Sequence, residues 1–196
     1  MFKNLPLKIT DPAIWATIEW EFARENDGME LIASENYTSP AVQEALGSVF
    51  VNKYAEGFPG KRYYGGQEFT DEMETIAIER AKKIFHADHA NVQALSGAAA
   101  NVCIYNALLE PGDTILGMDL SHGGHLTHGS PVTLMSKVYN FVRYKTSAAN
   151  NNFMDYDNLR EMALEHKPKL IIAGYSAHPR ELDYEKFVAI GREVGA

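Results

Sequence analysis

The chain has 196 residues, 45% of them apolar and 22% charged, with a formal net charge of −8 and one cysteine. This composition permits a packed core and excludes a disordered chain, and the acidic balance with no basic run argues against a nucleic-acid binder. A single cysteine leaves neither a disulfide framework nor a cysteine-rich zinc site.

No apolar run reaches membrane-spanning length, and the opening MFKNLPLKITDP lacks the apolar stretch and cleavage site of a secretory signal. The cytoplasm is the expected compartment. DPAIWATIEWEFARENDG predicts a helix capped by Asp11 and closed by Gly28, with Ile14, Trp15, Ile18 and Phe22 on one face. A short helix is expected over Pro40–Leu46. NKYAEGFPGKRYYGG, Asn52–Gly66, has neither helical nor strand periodicity and reads as a loop. From Asp71 the pattern is helical again, with Met73, Ile76, Ala77, Ala81, Ile84 and Phe85 at 3–4 spacing and Arg80 the one charged member.

Alternation then sets in. HANVQAL predicts a strand, SGAAANVCIYNALLE a helix stopped by Pro111–Gly112, and DTILGM and VYNFVRY two further strands. Cys103 falls within the apolar helical pattern and is expected to be a buried, inert thiol. SAANNN, Ser147–Asn152, is expected to be an exposed turn. DYDNLREMALEHK predicts a helix with Leu159, Met162, Ala163 and His166 on one side. PKLIIAGY is the near-continuous apolar run of a strand covered on both faces. DYEKFVAIGREVGA predicts a helix capped by Asp183, with Phe187, Ile190 and Val194 inward. Strands alternating with helices give an α/β domain with a mainly parallel sheet. The expected division is an arm and loop segment at 1–85 and an α/β domain from 86 to 196.

Four stretches can carry chemistry. In NVQALSGAAAN the expected strand runs through Ser96–Gly97 into a helix whose unpaired N–H groups suit a phosphate; a simple N-cap fits the same residues. LSHGGHLTHGSP spaces His122, His125 and His128 by three. Gly123–Gly124 breaks any helix that would align them, and no nearby carboxylate or cysteine completes a ligand set, so no metal is expected. A ligand loop, in which an imidazole stacks on an aromatic cofactor, and a glycine-rich turn with local hydrogen bonds fit this spacing equally. In IIAGYSAHP, Ser176 and His178 stand at the carboxyl end of a strand, where open α/β sheets bind ligands. No nucleophile elbow accompanies them, so positioning a ligand fits better than a triad, and a plain turn cap remains open. In the loop, Glu56 lies among tyrosines and glycines, where a shielded carboxylate can transfer protons; a solvated Glu is the alternative.

ELIASENYTSP, NKYAEGFPGKRYYGG, LLEPGDTILGMDLSHGGHLTHGSPV and EHKPKLIIAGYSAH, in this order, resemble the signature segments of the serine hydroxymethyltransferase family. The resemblance runs from about Glu30 to Ala196. It implies the fold-type I architecture of pyridoxal-phosphate transferases (aspartate aminotransferase-like), here reaching only part of the large domain. It also implies interconversion of serine and glycine with tetrahydrofolate carrying the one-carbon unit. Ser96, Gly97 and Ala98 match the phosphate cup, His125 the histidine stacked on the cofactor ring, and Ser176 a serine near the ring oxygen. Ser34, Tyr54, Glu56 and Tyr64 match residues around the amino-acid substrate, with Tyr54 also near the cofactor and Glu56 handling the proton of the serine hydroxyl. The resemblance gives catalytic parts to Glu56, Tyr64 and His125. Leu120, Gly124, His125 and Leu126 match the folate-binding stretch. The tyrosine–glutamate loop projects into the neighbouring subunit in the family, which implies a homodimer with shared sites.

Two departures are expected to matter. The family's cup reads Ser-Gly-Ser where this chain has Ser96-Gly97-Ala98, and a lost hydrogen bond to a charged group costs roughly 1.5–3 kcal/mol if nothing replaces it. The lysine that anchors the cofactor, the aspartate facing the pyridine nitrogen and the arginine that binds the substrate carboxylate match no position here, so the chain alone is expected to lack turnover. A non-catalytic remnant that binds a full-length partner is the alternative of a different class. A folate-independent aldolase of β-hydroxy amino acids is a third reading, disfavoured by the match at Leu120–Leu126.

Overall fold

The computed structural model describes residues 5–196; residues 1–4 of the segment expected at 1–85 lie outside the described residues. Two units are distinguished, Met1–Asn36 and Tyr37–Ala196, each described by itself. In the first, α1 (Leu7–Thr10) leads into α2 (Pro12–Asp27). The Asp11 carboxylate accepts the Ile14 N–H at 3.1 Å, and Pro12 sits in the first turn, where its missing N–H has no partner to lose. The Gly28 N–H closes the helix on the Arg24 carbonyl. Ile14, Ile18 and Phe22 on the expected apolar face are exposed.

The second unit opens with α3 (Pro40–Leu46), within the expected bounds, and a 3₁₀ turn at Val49–Asn52. The loop read as irregular contains a minimal antiparallel hairpin, β1 (Gly57–Phe58) with β2 (Lys61–Arg62). Gly57, at φ 103°, is required there, because a Cβ would collide with the Lys61 carbonyl. The following helix, α4 (Glu68–Phe85), begins three residues before Asp71, and its Met73, Ile76, Ile84 and Phe85 are exposed.

HANVQAL is not a strand: Asn91–Leu95 carries no ladder pairing, and Gln93 instead donates its side-chain amide to the Gly57 carbonyl at 2.8 Å and to Glu74 at 2.6 Å. A strand needs a neighbouring edge, and side-chain partners occupy this segment instead. Next come α5 (Gly97–Leu108), β3 (Thr114–Met118) and β4 (Asn140–Tyr144). Helix α5 stops three residues short of Pro111. Cys103 is exposed, not buried, because α5 meets the sheet through the face that carries Tyr105. A small hairpin, β5 (Thr146–Ser147) with β6 (Phe153–Met154), carries the asparagine-rich turn, in which Asn151 and Asn152 adopt positive φ. Helix α6 (Tyr156–His166), strand β7 (Leu170–Ile171) and helix α7 (Tyr184–Val194) complete the unit.

The main sheet is parallel, in the order β4-β3-β7, with Ile115 paired to Phe141 on one side and Leu170 on the other. Side chains of β3 alternate between faces, as the strand period requires. Leu116 and Met118 join Tyr144, Leu159, Ala163, Phe187 and Ile190 under α6 and α7. Ile115 packs with Tyr105, Leu109 and Tyr139 under α5. Fully burying an aliphatic side chain such as Leu116 or Leu159 contributes about 1.5–3 kcal/mol. The strand read in PKLIIAGY is covered on both faces as expected, since Leu170 and Ile172 face the α5 cluster and Ile171 and Ala173 the other. Its regular ladder is only two residues long. Past it, the Ile172 N–H still donates to the Leu116 carbonyl, and Tyr144 Oη donates to the Ile172 carbonyl at 2.7 Å.

Among the described residues no helix is long and apolar enough to cross a membrane.

Candidate active site

Parallel strands send their following loops to one end of the sheet, and here three such loops are tied together. After β3, Asp119 turns the chain by accepting the Ser121 N–H at 2.9 Å. Gly123 then accepts the N–H groups of Ser176 and Ala177, at 2.8 and 3.0 Å, from the segment after β7. The approach is so close that a Cβ on Gly123 would lie 2.5 Å from the His178 nitrogen. After β4, Thr146 brings its hydroxyl to 2.7 Å from His122 Nδ1. A cavity of about 540 Å³ opens among these loops, with His122, Thr146, His178 and Arg180 in its lining.

Helix α5 runs back along β3 and is bonded to the same loops by its second and third turns: Asn101 Nδ2 donates to Thr127 Oγ1 at 2.7 Å and Tyr105 Oη to the Thr127 carbonyl at 2.9 Å. Burial raises the Tyr105 phenol to about 12, so it remains a donor. Ser96 caps α5, accepting the Ala99 N–H at 3.2 Å. The amides of Gly97 and Ala98 belong to the first turn, where no helical acceptor exists, and a Cβ added at Gly97 would meet open space.

His125 is half-buried. Its Nδ1 lies 2.8 Å from Thr127 Oγ1 and 3.2 Å from the Thr127 nitrogen. Behind it, His128 is buried and accepts the His125 N–H at 3.1 Å. The sheet makes room for this at Gly117, where a Cβ would sit 2.7 Å from the His128 carbonyl oxygen; a glycine inside a strand is the usual sign of such an approach. Leu120 and Leu126 are exposed on either side of the Gly123–Gly124 turn. Ser176 is half-buried and its hydroxyl bonds to no described residue.

Burial, with a smaller contribution from His125, pushes the His128 imidazole down from 6.5 to about 4. The unfolded chain therefore binds a proton that the folded chain resists. Stability from this group is full above about pH 6.5 and is lost as pH falls toward 4, by about 2–3 kcal/mol. His178, also lowered, first by burial and then by Arg180, acts in the same direction. The urea midpoint is expected to fall between about pH 7.5 and pH 4.5, with a shallower fall in His128→Gln. An unchanged slope in that variant would remove His128 from the account.

The tyrosine loop has its own architecture, organised by Arg62, a residue that sequence reasoning passed over. Its side chain is 4% exposed. The guanidinium donates to the carbonyls of Ala55 and Gly57, at 2.8 and 2.9 Å, and to Asp71 and Glu74 on α4. The Gly60 N–H and Arg62 hold the Asp71 carboxyl below its ordinary range. Gln67 Nε2 donates to the Tyr54 carbonyl at 3.1 Å, and Lys53 Nζ to the carbonyls of Gly65 and Gly66 at 3.0 Å. The signal for this arrangement was present: two carboxylates three residues apart, on one face of the helix that follows an arginine in a glycine-rich run.

On this frame Tyr54 and Tyr64 meet edge to face at 5.3 Å, yet they are 69% and 52% exposed. Glu56 is exposed, and its carboxylate bonds to no described residue. The residues singled out from the sequence thus fall in three places. His125, Leu120, Gly124, Leu126 and Ser176 share the loop cluster, with Ser96, Gly97 and Ala98 at the head of the helix bonded to it. Tyr54, Glu56 and Tyr64 share the braced loop. Ser34 stands in the Ile32–Glu35 turn of the first unit. His128, marked in the sequence for its spacing, supports the His125 backbone; Asn101 and Thr127 hold the histidine loop and were not singled out, because their pattern is indistinguishable from ordinary helix and turn polarity.

Residues 7–196 match the family model described as serine hydroxymethyltransferase. The serine hydroxymethyltransferases of Rhodopirellula baltica, a Synechococcus species and a Nostoc species are 56%, 58% and 59% identical to the chain over 186, 187 and 187 residues. Each alignment covers 95% of this chain and 44%, 43% and 44% of the respective relative, so the chain spans less than half the length of these curated relatives. A match of this extent, over a parallel sheet that gathers glycine-, serine- and histidine-bearing loops at its carboxyl end, decides the matter: the chain belongs to the serine hydroxymethyltransferase family.

Proposed function

We propose that this chain is the first part of a pyridoxal-phosphate-dependent enzyme that converts serine and tetrahydrofolate to glycine and 5,10-methylenetetrahydrofolate. Residues 1–85 serve as the arm and dimerisation segment, and 86–196 open the large cofactor domain. The observation that carries the reading is the fastening of the Ser176 loop and the head of α5 to one histidine loop, through Gly123 and Thr127.

The residues present suit the cofactor. The free amides of Gly97 and Ala98, the helix dipole and open space at Gly97 fit a phosphate, and Ser96 fixes the turn. Ala98 adds no hydroxyl, so backbone N–H groups bear more of the phosphate binding. The His125 imidazole, anchored through Nδ1, offers a flat face to an aromatic ring, and the free hydroxyl of Ser176 offers a hydrogen bond to a ring oxygen. When bound, the cofactor supplies an electron sink for the carbanion left as the serine Cα–Cβ bond breaks.

The chain's own part is to orient and to move protons. Glu56 takes the proton of the serine hydroxyl, Tyr54, Tyr64 and Ser34 orient the amino acid, and Leu120, Gly124, His125 and Leu126 line the folate's approach. A homodimer follows from a loop that is braced from behind and turns its tyrosines outward. The lysine, aspartate and arginine of the family's site are supplied by sequence that matches no part of residues 1–196.

The test is to titrate the purified chain with pyridoxal phosphate and assay serine-to-glycine turnover with tetrahydrofolate. Binding that weakens about tenfold in Ser96→Ala, without turnover, is expected. Full turnover would refute the assignment of essential groups to other sequence, and a chain blind to pyridoxal phosphate would refute the phosphate cup.

A further inference from the structure

We propose that the loop Leu120–His128 is a locked array of imidazole N–H donors. His122, His125 and His128 each carry their proton on Nε2, and Asn101 with Thr127 are positioning residues that fix the His125 ring. This deepens the cofactor reading above, but its core claim concerns protons already on the chain.

Each of the three rings faces a group that can only donate. A backbone N–H has no acceptor capacity. The Thr146 nitrogen lies 3.3 Å from His122 Nδ1, the Thr127 nitrogen 3.2 Å from His125 Nδ1, and the His125 nitrogen 3.1 Å from His128 Nδ1. Each Nδ1 must therefore present its lone pair, and a neutral imidazole then has its hydrogen on Nε2. The hydroxyls agree. Thr146 Oγ1 and Thr127 Oγ1 approach the same nitrogens of His122 and His125, at 2.7 and 2.8 Å. Asn101 Nδ2 occupies a lone pair of Thr127 Oγ1 at 2.7 Å, which leaves the hydroxyl proton for His125. Three histidines at three-residue spacing thus meet the same condition through three different backbone donors.

The array has a chemical preference. A metal ion would need the Nε2 lone pairs, which means moving each proton to Nδ1, against a backbone N–H already pointed there. Ligands that accept hydrogen bonds face no such obstacle. The loop therefore favours oxygen- or nitrogen-bearing acceptors over divalent cations, although its spacing has the look of a metal motif. For His125 the lock also restricts the ring, because the amide and the hydroxyl of Thr127 converge on Nδ1 from two directions.

The experiment is long-range ¹H–¹⁵N correlation on the labelled chain near pH 8, with assignments from single His→Gln variants. All three rings are expected to show a protonated Nε2 and a bare Nδ1. Predominant Nδ1 protonation at any of them overturns the lock. Zinc chloride added to equimolar concentration is expected to leave these resonances in place, and their loss or shift overturns the preference. Relaxation of the His125 ring is expected to show greater motion in Thr127→Val and recovery in Thr127→Ser; equal order in all three overturns the positioning role. Added pyridoxal phosphate is a separate arm: if nothing binds, the functional reading fails while the tautomer result stands.

Discussion

Gly123→Ala is expected to lower the melting temperature of the chain by about 5–15 °C. The backbone there has φ 104°, a region a side chain enters at a cost of about 1–3 kcal/mol. The added methyl would also meet the His178 nitrogen at 2.5 Å and its Cα at 2.8 Å, which are backbone atoms that cannot swing aside. Overpacking of this kind adds roughly 1–3 kcal/mol, and each kcal/mol shifts a chain of this size by about 2–4 °C. The carbonyl that receives Ser176 and Ala177 would move with it, so the loop after β3 would part from the loop after β7. Gly60→Ala is the control: φ is positive there too, at 72°, but nothing lies within 4 Å of the added atom. If the two variants melt alike, the close approach is not what fastens the loops.

Arg62→Ala is expected to release the tyrosine loop while leaving the sheet intact. The guanidinium is the shared partner of two carbonyls on the loop and two carboxylates on α4, and its removal leaves Asp71 and Glu74 facing each other without a cation. Amide exchange over residues 57–64 is expected to accelerate severalfold or more, with protection in α6 and α7 unchanged. Arg62→Lys is expected to rescue little, because one ammonium cannot replace a fork that donates in four directions. Uniform loss of protection across both regions would show that the arginine holds the whole unit, and no change would show that β1 and β2 stand without it.

The elements that could be read from the sequence are those whose signals are local. Asp11 and Asp183 each cap the helix assigned to them, and each accepts the amide three residues on. Phe187 and Ile190 are buried on the face their spacing marks. The misreadings depend on distant partners. HANVQAL has strand composition, but a strand is a relation between two segments, and here Gln93 binds the loop and α4 instead. Cys103 sits in an apolar helix, yet only the Tyr105 side of that helix meets the sheet. At the site, the residues quoted for their motifs were visible because motifs are contiguous. Thr127 and Asn101 were not, since their meaning comes from a contact across 26 positions of chain.

The order β4-β3-β7 also has a kinetic consequence. The two partners of the central strand are far along the chain: Ile115 pairs with Phe141 and with Leu170. Neither pairing can form by a tight turn, and both require the intervening chain to close a large loop before any ladder bond rewards it. The β7 ladder is only two residues long, so it gains little until α6 and α7 have docked and covered it. Refolding should therefore proceed through early local pieces, the capped helices and the β5–β6 hairpin, with the joining of β7 to β3 as the slow step. The loop cluster that carries His125 and Ser176 straddles that junction, so binding competence should appear at the rate of the last strand and not with the bulk of the helical signal.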